Sequence, residues 1–301
     1  MQNDVCCQCT SSKLGTHRST LVASVQGQQT IMASPHPSLT ITFDANTLEA
    51  VARPERRAKD PFHASYVSIQ RAIKDGFLAG YFSQTYCTLE GIQGEDRPAV
   101  LGKTRVETSS TSPDRNTVNI RIETKHHRKP LHKEHDAALQ AVLQLGMRAL
   151  RGPARMVDGL VIKDPDNTIY VTETIEQVIA HRSTAGEVAA AIEGRGVGRA
   201  VALELGLKFN ERAGVTSELW LQGLARARPD EYRLVRKAIG EWSDGDAIAS
   251  HVGYGIEVFC TNDFGRSAGG PSVLDAVNRA WLVATYDVVF VTPIELAQRI
   301  R

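Results

Sequence analysis

The chain has 301 residues, of which 42% are hydrophobic and 23% are charged, and its formal net charge is +1. This composition is ordinary for a globular enzyme, and the near-neutral charge argues against a polyanion-binding surface that covers the whole chain. The sequence lacks both a run of about 18 apolar residues and the apolar core of a signal peptide, so we expect no membrane contact and a cytoplasmic protein.

The N-terminal residues 1–37 are polar and rich in Ser, Thr and Gln, without sustained hydrophobic periodicity. Such a segment buries too little apolar surface to fold, and we predict a disordered tail. Cys6, Cys7 and Cys9 cluster here, but no second pair follows at ligand spacing, which argues against a zinc site.

Two predicted strands in the first third of the chain lead into acidic residues. Residues 39–43 read as a short buried strand that stops at Asp44, with a helical pattern after it. Residues 80–85 read as a second strand, and the segment that follows carries Glu90.

The middle of the chain has a different character. Residues 100–107 and 117–124 alternate apolar and polar side chains around a turn-forming segment, which predicts a β-hairpin. The most basic short run, residues 125–135, follows. It is either a solvated surface or a phosphate-contacting patch; the second reading assigns RNA contacts to Lys125, Arg128, Lys129 and Lys133.

Helical periodicity dominates residues 136–150, 180–207 and 216–239. These segments predict a helical block, which we interpret as a lid over the acidic strand ends. Its role is open between guiding a larger RNA, binding a partner and filling space.

The segment 243–266 combines a helix and a strand with acids at both ends. Asp244 and Asp246 are expected at the helix start, where carboxylates cap free backbone N–H groups. The apolar alternation of residues 256–260 predicts a strand, and Asp263 lies near its carboxyl end. Loops that leave parallel strands converge at this edge of a sheet, where ligands bind in open α/β folds.

With these motifs in order, the chain resembles the PIN-domain family of nucleases. The resemblance covers residues 38–95 and 232–301, and leaves residues 96–231 as an insertion of a hairpin and helices. The matching motifs are FDANTL at 43–48, TLEGI at 88–92, DGDAIASH at 244–251, TND at 261–263, and a closing strand and Pro-started helix at 288–296.

The resemblance implies a three-layer α/β/α sandwich around a mainly parallel sheet, plus the inserted hairpin and helices. It also implies an acidic cluster that holds Mg²⁺ or Mn²⁺ for hydrolysis of RNA phosphodiester bonds. Asp44 would be the first acid, Glu90 the second and Asp263 the last. The third is either Asp244 or Asp246.

The residue types suit this chemistry independently of the family. Clustered carboxylates raise one another's pKa, and hard divalent cations prefer their oxygens. Asn46, Thr261 and Asn262 would orient a water molecule or a phosphate oxygen through hydrogen bonds. The sequence therefore predicts a metal-dependent endoribonuclease.

Several partners and one alternative function accompany this prediction. The nuclease would act on RNA. A further reading, compatible with the nuclease, is the toxin of a toxin-antitoxin pair whose activity a small antitoxin protein holds off. The resemblance also implies a homodimer, because family members often dimerise. The alternative is a non-catalytic RNA- or protein-binding module that keeps the fold without the metal.

Overall fold

The computed structural model describes residues 37–103, 105–111, 119–125, 131–155, 164–215, 219–265 and 270–300. Almost all of the expected disordered tail, with its cysteines, lies outside these residues, as do Arg128 and Lys129. The described residues belong to one compact unit.

The strands are numbered along the chain. They are β1 (Leu39–Phe43), β2 (Leu78–Ser83), β3 (Arg105–Thr111), β4 (Asn119–Lys125), β5 (Arg148–Leu150), β6 (Val258–Cys260) and β7 (Val289–Val291). A parallel sheet with the order β5-β2-β1-β6-β7 forms the centre of the fold. The predicted α/β class with a mainly parallel sheet is confirmed, and the first predicted strand has the expected bounds.

The helices are likewise numbered along the chain. They are α1 (Ala45–Ala52), α2 (His63–Lys74), α3 (Arg97–Gly102), α4 (Lys133–Gln144), α5 (Ile175–Gly194), α6 (Arg199–Arg212), α7 (Trp220–Leu224), α8 (Tyr232–Gly253), α9 (Ala276–Tyr286) and α10 (Pro293–Arg299). None of the described helices is long and apolar enough to cross a lipid bilayer.

Helices cover both faces of the sheet. Successive residues of a strand point to opposite faces, and β6 illustrates the consequence. Val258 and Cys260 join a core with α1, α2, α4 and α10. Phe259 instead joins a core with α5, α9 and the C-terminal half of α8. The described elements therefore form helix, sheet and helix layers.

The strand order creates a topological switch point between β1 and β6. From β1 the chain moves outward to β2 and β5, then returns to the other side of β1 with β6 and β7. Connections from β1 and β6 thus leave in opposite directions and open a crevice at their carboxyl ends. Asp44 and Asp263 follow these two strands, so the crevice is acidic.

Two predictions for the middle of the chain need correction. The hairpin exists as antiparallel β3 and β4, but its first strand begins at Arg105, because residues 97–102 form α3 with Pro98 in its first turn. The helix predicted over residues 136–150 ends at Gln144, and Gly146 turns the chain with a φ of 82°. Residues 148–150 then form β5, so the segment predicted as an insertion supplies an edge strand of the main sheet.

The predicted helix start at Asp244 and Asp246 is wrong. Helix α8 runs unbroken from Tyr232 to Gly253, and both aspartates lie in its interior. Gly245 does not end the helix because tertiary contact outweighs its low helix propensity: a Cβ there would lie 3.0 Å from the Cα of Gly198.

A helical block formed by α3, α6, α7 and the first half of α8 packs around its own core. Helices α6 and α7 approach so closely that a Cβ at Gly223 would lie 1.9 Å from the carbonyl oxygen of Gly206. The rings of Trp220 and Trp242 meet with centroids 5.5 Å apart and connect α7 to α8.

Candidate functional site

Carboxylates from four chain segments come together at the carboxyl edge of the sheet. Asp44 follows β1 directly, Glu90 lies in the turns after β2, Asp244 lies within α8, and Asp263 follows β6. The pKa values of Asp44, Glu90 and Asp244 are each raised in part by the charge of another member of this group. We call these residues the acidic cluster.

Asp44 is the most buried member of the acidic cluster, and only 6% of it is exposed. Its Oδ1 accepts a hydrogen bond from the backbone N–H of Ala45 at 2.7 Å, and its Oδ2 accepts one from Thr261 Oγ1 at 2.9 Å. Burial raises the pKa of Asp44 to about 6, against the effect of these bonds, and the charge of Asp263 adds to the rise.

Glu90 is tied to α8 rather than to the sheet. Its Oε1 accepts a hydrogen bond from the hydroxyl of Ser243, the neighbour of Asp244. Burial raises the pKa of Glu90 to about 7; the Ser243 bond and the Arg97 guanidinium oppose the rise, whereas Asp44 adds to it. The sequence did not predict the Ser243 contact, which requires α8 to cross the turns after β2.

Asp244 has the most acidic surroundings. Burial raises its pKa well above the usual value, and the charges of Asp44, Glu90, Glu241 and Asp263 raise it further. Its carboxylate is therefore costly to ionise unless a cation is near.

Asp263 lies at the opening of the site. Its Oδ1 accepts a hydrogen bond from the backbone N–H of Gly265 at 2.7 Å, and its own N–H donates to Thr261 Oγ1 at 2.9 Å. Thr261 thus connects Asp44 and Asp263 through one hydroxyl group. The Arg279 guanidinium interacts electrostatically with Asp263.

Asp246 belongs to a different set of contacts. It pairs with Arg155 and accepts a hydrogen bond from Trp242 Nε1 at 3.0 Å. Arg155 also binds Glu193 of α5 at 2.7 Å. Burial raises the pKa of Asp246 more than Arg155 and Trp242 lower it, and the charge of Glu193 adds to the rise. Of the two candidates for the third acid, Asp244 is the one that faces the others.

Glu241 is a carboxylate that the sequence analysis did not single out. Its Oε1 accepts hydrogen bonds from the backbone N–H groups of Gly198 at 3.2 Å and Val273 at 2.6 Å. It holds the start of α6 and the loop before α9 against α8. The signal for Glu241 is its position one helical turn before Asp244, which becomes visible only once α8 is known to be continuous.

The three residues predicted to orient water or phosphate have different surroundings. Thr261 is fully buried and bound to Asp44, as described above. Asn262 donates from Nδ2 to the Tyr66 hydroxyl at 3.2 Å, toward α2. Asn46 is exposed in the first turn of α1.

The described basic residues of the predicted RNA-binding run are at the ends of their elements. Lys125 is the last residue of β4, and Lys133 is the exposed first residue of α4. Their RNA contacts stay a prediction.

A cavity of about 410 Å³ opens beside Asp244 and Asp263. Helix α6, from the region predicted as an insertion, forms one wall and contributes Lys208; helix α8 forms another and contributes Lys237. The helical block therefore borders the acidic cluster and brings two lysines to its edge.

The donor set suits a hard divalent cation, because it consists of carboxylate oxygens. Among the described residues, however, no three His, Cys, Asp or Glu side chains are grouped closely enough to hold an ion as they stand. The carboxylates of the cluster interact through their charges over a longer distance than ligands of one ion do. Glu90, Asp244 and Asp263 are each only partly buried.

Comparison of the chain with protein-family models, with curated proteins and with solved structures found no significant match. The resemblance of the motifs to PIN-domain nucleases therefore stays a prediction.

Proposed function

We propose that the protein is a Mg²⁺- or Mn²⁺-dependent endoribonuclease with a PIN-type fold, and that Asp44, Glu90, Asp244 and Asp263 hold the cation. The observation that carries this proposal is the convergence of these acids, from four segments, at the switch point of a parallel sheet. Ligands bind at this position in open α/β sheets.

The electrostatics of the acidic cluster support a cation. Burial and mutual repulsion keep the pKa values of Asp44 and Glu90 at about 6 and about 7, so both ionise at a cost near neutral pH. A fold that keeps several such carboxylates together sacrifices stability, as is common at functional sites. A divalent cation offsets that cost.

In the proposed reaction, different residues position the metal ligands and attract the RNA. A bound cation would supply an activated water molecule and neutralise charge on the phosphate during cleavage. Thr261 holds the Asp44 carboxylate in one orientation, and Ser243 does the same for Glu90. Lys208 and Lys237 attract the phosphate backbone to the cavity beside the acids.

The test is cleavage of end-labelled single-stranded RNA by the purified protein. We expect internal cuts in Mg²⁺ or Mn²⁺ and none in EDTA. Binding of RNA without any cutting in either metal would contradict the proposal and favour the non-catalytic binding module. Cleavage in EDTA at the same rate as in Mg²⁺ or Mn²⁺ would also contradict the proposal.

The variant Asp246→Asn tests whether Asp246 has a different role from Asp244. The change weakens the pair with Arg155, which keeps Glu193, but it also removes the buried charge that raises the pKa of Asp246. Because these two effects oppose each other, we expect the free energy of unfolding to change by less than about 2 kcal/mol, below the ~3–5 kcal/mol lost when a buried pair is fully broken. Urea denaturation measures this change. The cleavage rate per folded molecule should not change; a loss of cleavage at unchanged stability would instead assign Asp246 to the metal site.

The resemblance also predicts a small antitoxin partner and a homodimer. No contact of the described residues bears on either, so both stay predictions.

A further inference from the structure

We propose that a second cavity beside Asp263 binds one unpaired nucleobase of the RNA. This cavity of about 380 Å³, here called the base cavity, is lined by residues of α1 and α2, the turn between them and the loop after β6. The inference rests on the proposed function in taking RNA as the ligand, and it adds a site that recognises the base next to the phosphate.

The position of the base cavity relative to the acids is the first argument. Asp263 lines both this cavity and the larger one beside Asp244. Asn46 and Asn262, which also line it, are two residues after Asp44 and one residue before Asp263. A strand whose phosphate lies at the acidic cluster thus has a neighbouring nucleotide at the mouth of the base cavity.

The lining chemistry matches a nucleobase. Phe62 and Tyr66 contribute aromatic rings with centroids 6.4 Å apart, and Arg57 contributes a planar guanidinium group. Aromatic and guanidinium planes stack on unpaired bases of RNA. The carboxamides of Asn46 and Asn262 each offer donors and an acceptor for a base edge.

Part of the lining is already ordered. Asn262 Nδ2 donates to the Tyr66 hydroxyl at 3.2 Å, which orients the carboxamide. Asp60 Oδ1 accepts the backbone N–H of Phe62 at 2.8 Å and holds the turn before α2. In the described part of the chain, no hydrogen bond or ion pair engages the side chains of Asn46 and Arg57, and both are exposed for a ligand.

The charge of the lining favours a neutral ligand group over an isolated phosphate. Arg57 carries one positive charge, whereas Asp60 and Asp263 carry two negative charges. An anion alone would be repelled, but a base is uncharged and brings hydrogen-bonding edges. The volume of the base cavity is also within the range of about 300–1,000 Å³ that small-molecule sites have.

The test compares binding of a single-stranded RNA 10-mer with that of a fully abasic 10-mer by fluorescence anisotropy, in Ca²⁺ and separately in EDTA. We expect the intact RNA to bind about tenfold tighter in at least one condition, since stacking on a protein surface discriminates by this order. Arg57→Ala and Asn46→Ala should each reduce this ratio by about threefold or more. Arg56→Ala is the matched control, because Arg56 is an exposed neighbour outside the base cavity and should keep the ratio.

Equal binding of the two 10-mers, no RNA binding in either condition, or equal ratios for Arg57→Ala and Arg56→Ala would overturn the proposal. Free nucleoside monophosphates should compete only at far higher concentration; competition at the concentration of the 10-mer would overturn it in favour of a free-nucleotide site. Because the readout is binding, it is independent of the cleavage test. A protein that cuts RNA without base discrimination refutes this inference alone, and one that discriminates without cutting refutes only the nuclease.

Discussion

Replacing Asp244 by Asn is expected to reduce metal-dependent RNA cleavage by about 10³-fold, the order seen when a group that stabilises transition-state charge is lost. In EDTA at pH 8 the same change should raise the melting temperature. Both effects have one cause: the partly buried Asp244 carboxylate lies near Asp44, Glu90, Glu241 and Asp263, where its charge is unfavourable without a cation. Asparagine keeps the shape and removes the charge.

Cleavage assays and thermal melts with and without Mn²⁺ measure the two effects of Asp244→Asn. Wild-type protein should gain stability with Mn²⁺, and the variant should gain much less. Glu187→Gln is the matched control, because Glu187 is an exposed acid on α5 outside both cavities. A variant that keeps cleavage, or that loses stability in EDTA, would contradict the role assigned to Asp244.

Without metal, the protein is expected to lose stability as the pH rises from about 4 to about 7. Burial raises the pKa of Asp44 from 3.8 to about 6 and the pKa of Glu90 from 4.5 to about 7. Between these values the folded protein binds more protons than the unfolded chain, so the free energy of unfolding falls with rising pH. At 1.36 kcal/mol per pKa unit, and with allowance for the coupling of the two groups, the loss is on the order of 3 kcal/mol.

Urea denaturation in EDTA at several pH values measures this slope, and Glu90→Gln isolates it from other titrating groups. The variant keeps an acceptor for Ser243 but cannot ionise, so its stability should fall less steeply with pH. Mn²⁺ should stabilise the wild type more at pH 8 than at pH 5, because protons compete for the same oxygens. A pH dependence identical in wild type and variant would contradict the assigned pKa of Glu90.

Local sequence patterns predicted some of the strands and helices of the fold. Residues 39–43 are all apolar, β-branched or aromatic, which favours a strand, and the strand has these bounds in the structure. The closing strand and Pro-started helix that the family resemblance implied are present as β7 and α10, and in the structure Thr292 and Glu295 form a capping box at the start of α10. The edge strand β5 was not predicted, because a segment of three residues is too short to show the alternation that indicates a strand.

The sequence by itself determined where acids follow strands, because strand periodicity and turn residues act within a few positions of Asp44 and Asp263. Only the tertiary structure decided which other acids join them. Asp244 and Asp246 are two residues apart on a continuous helix, which turns them by about 200° relative to each other. One therefore faces the sheet edge with Glu90, while the other faces Arg155. That choice depends on how α8 crosses the sheet and the helical block, which no local pattern encodes.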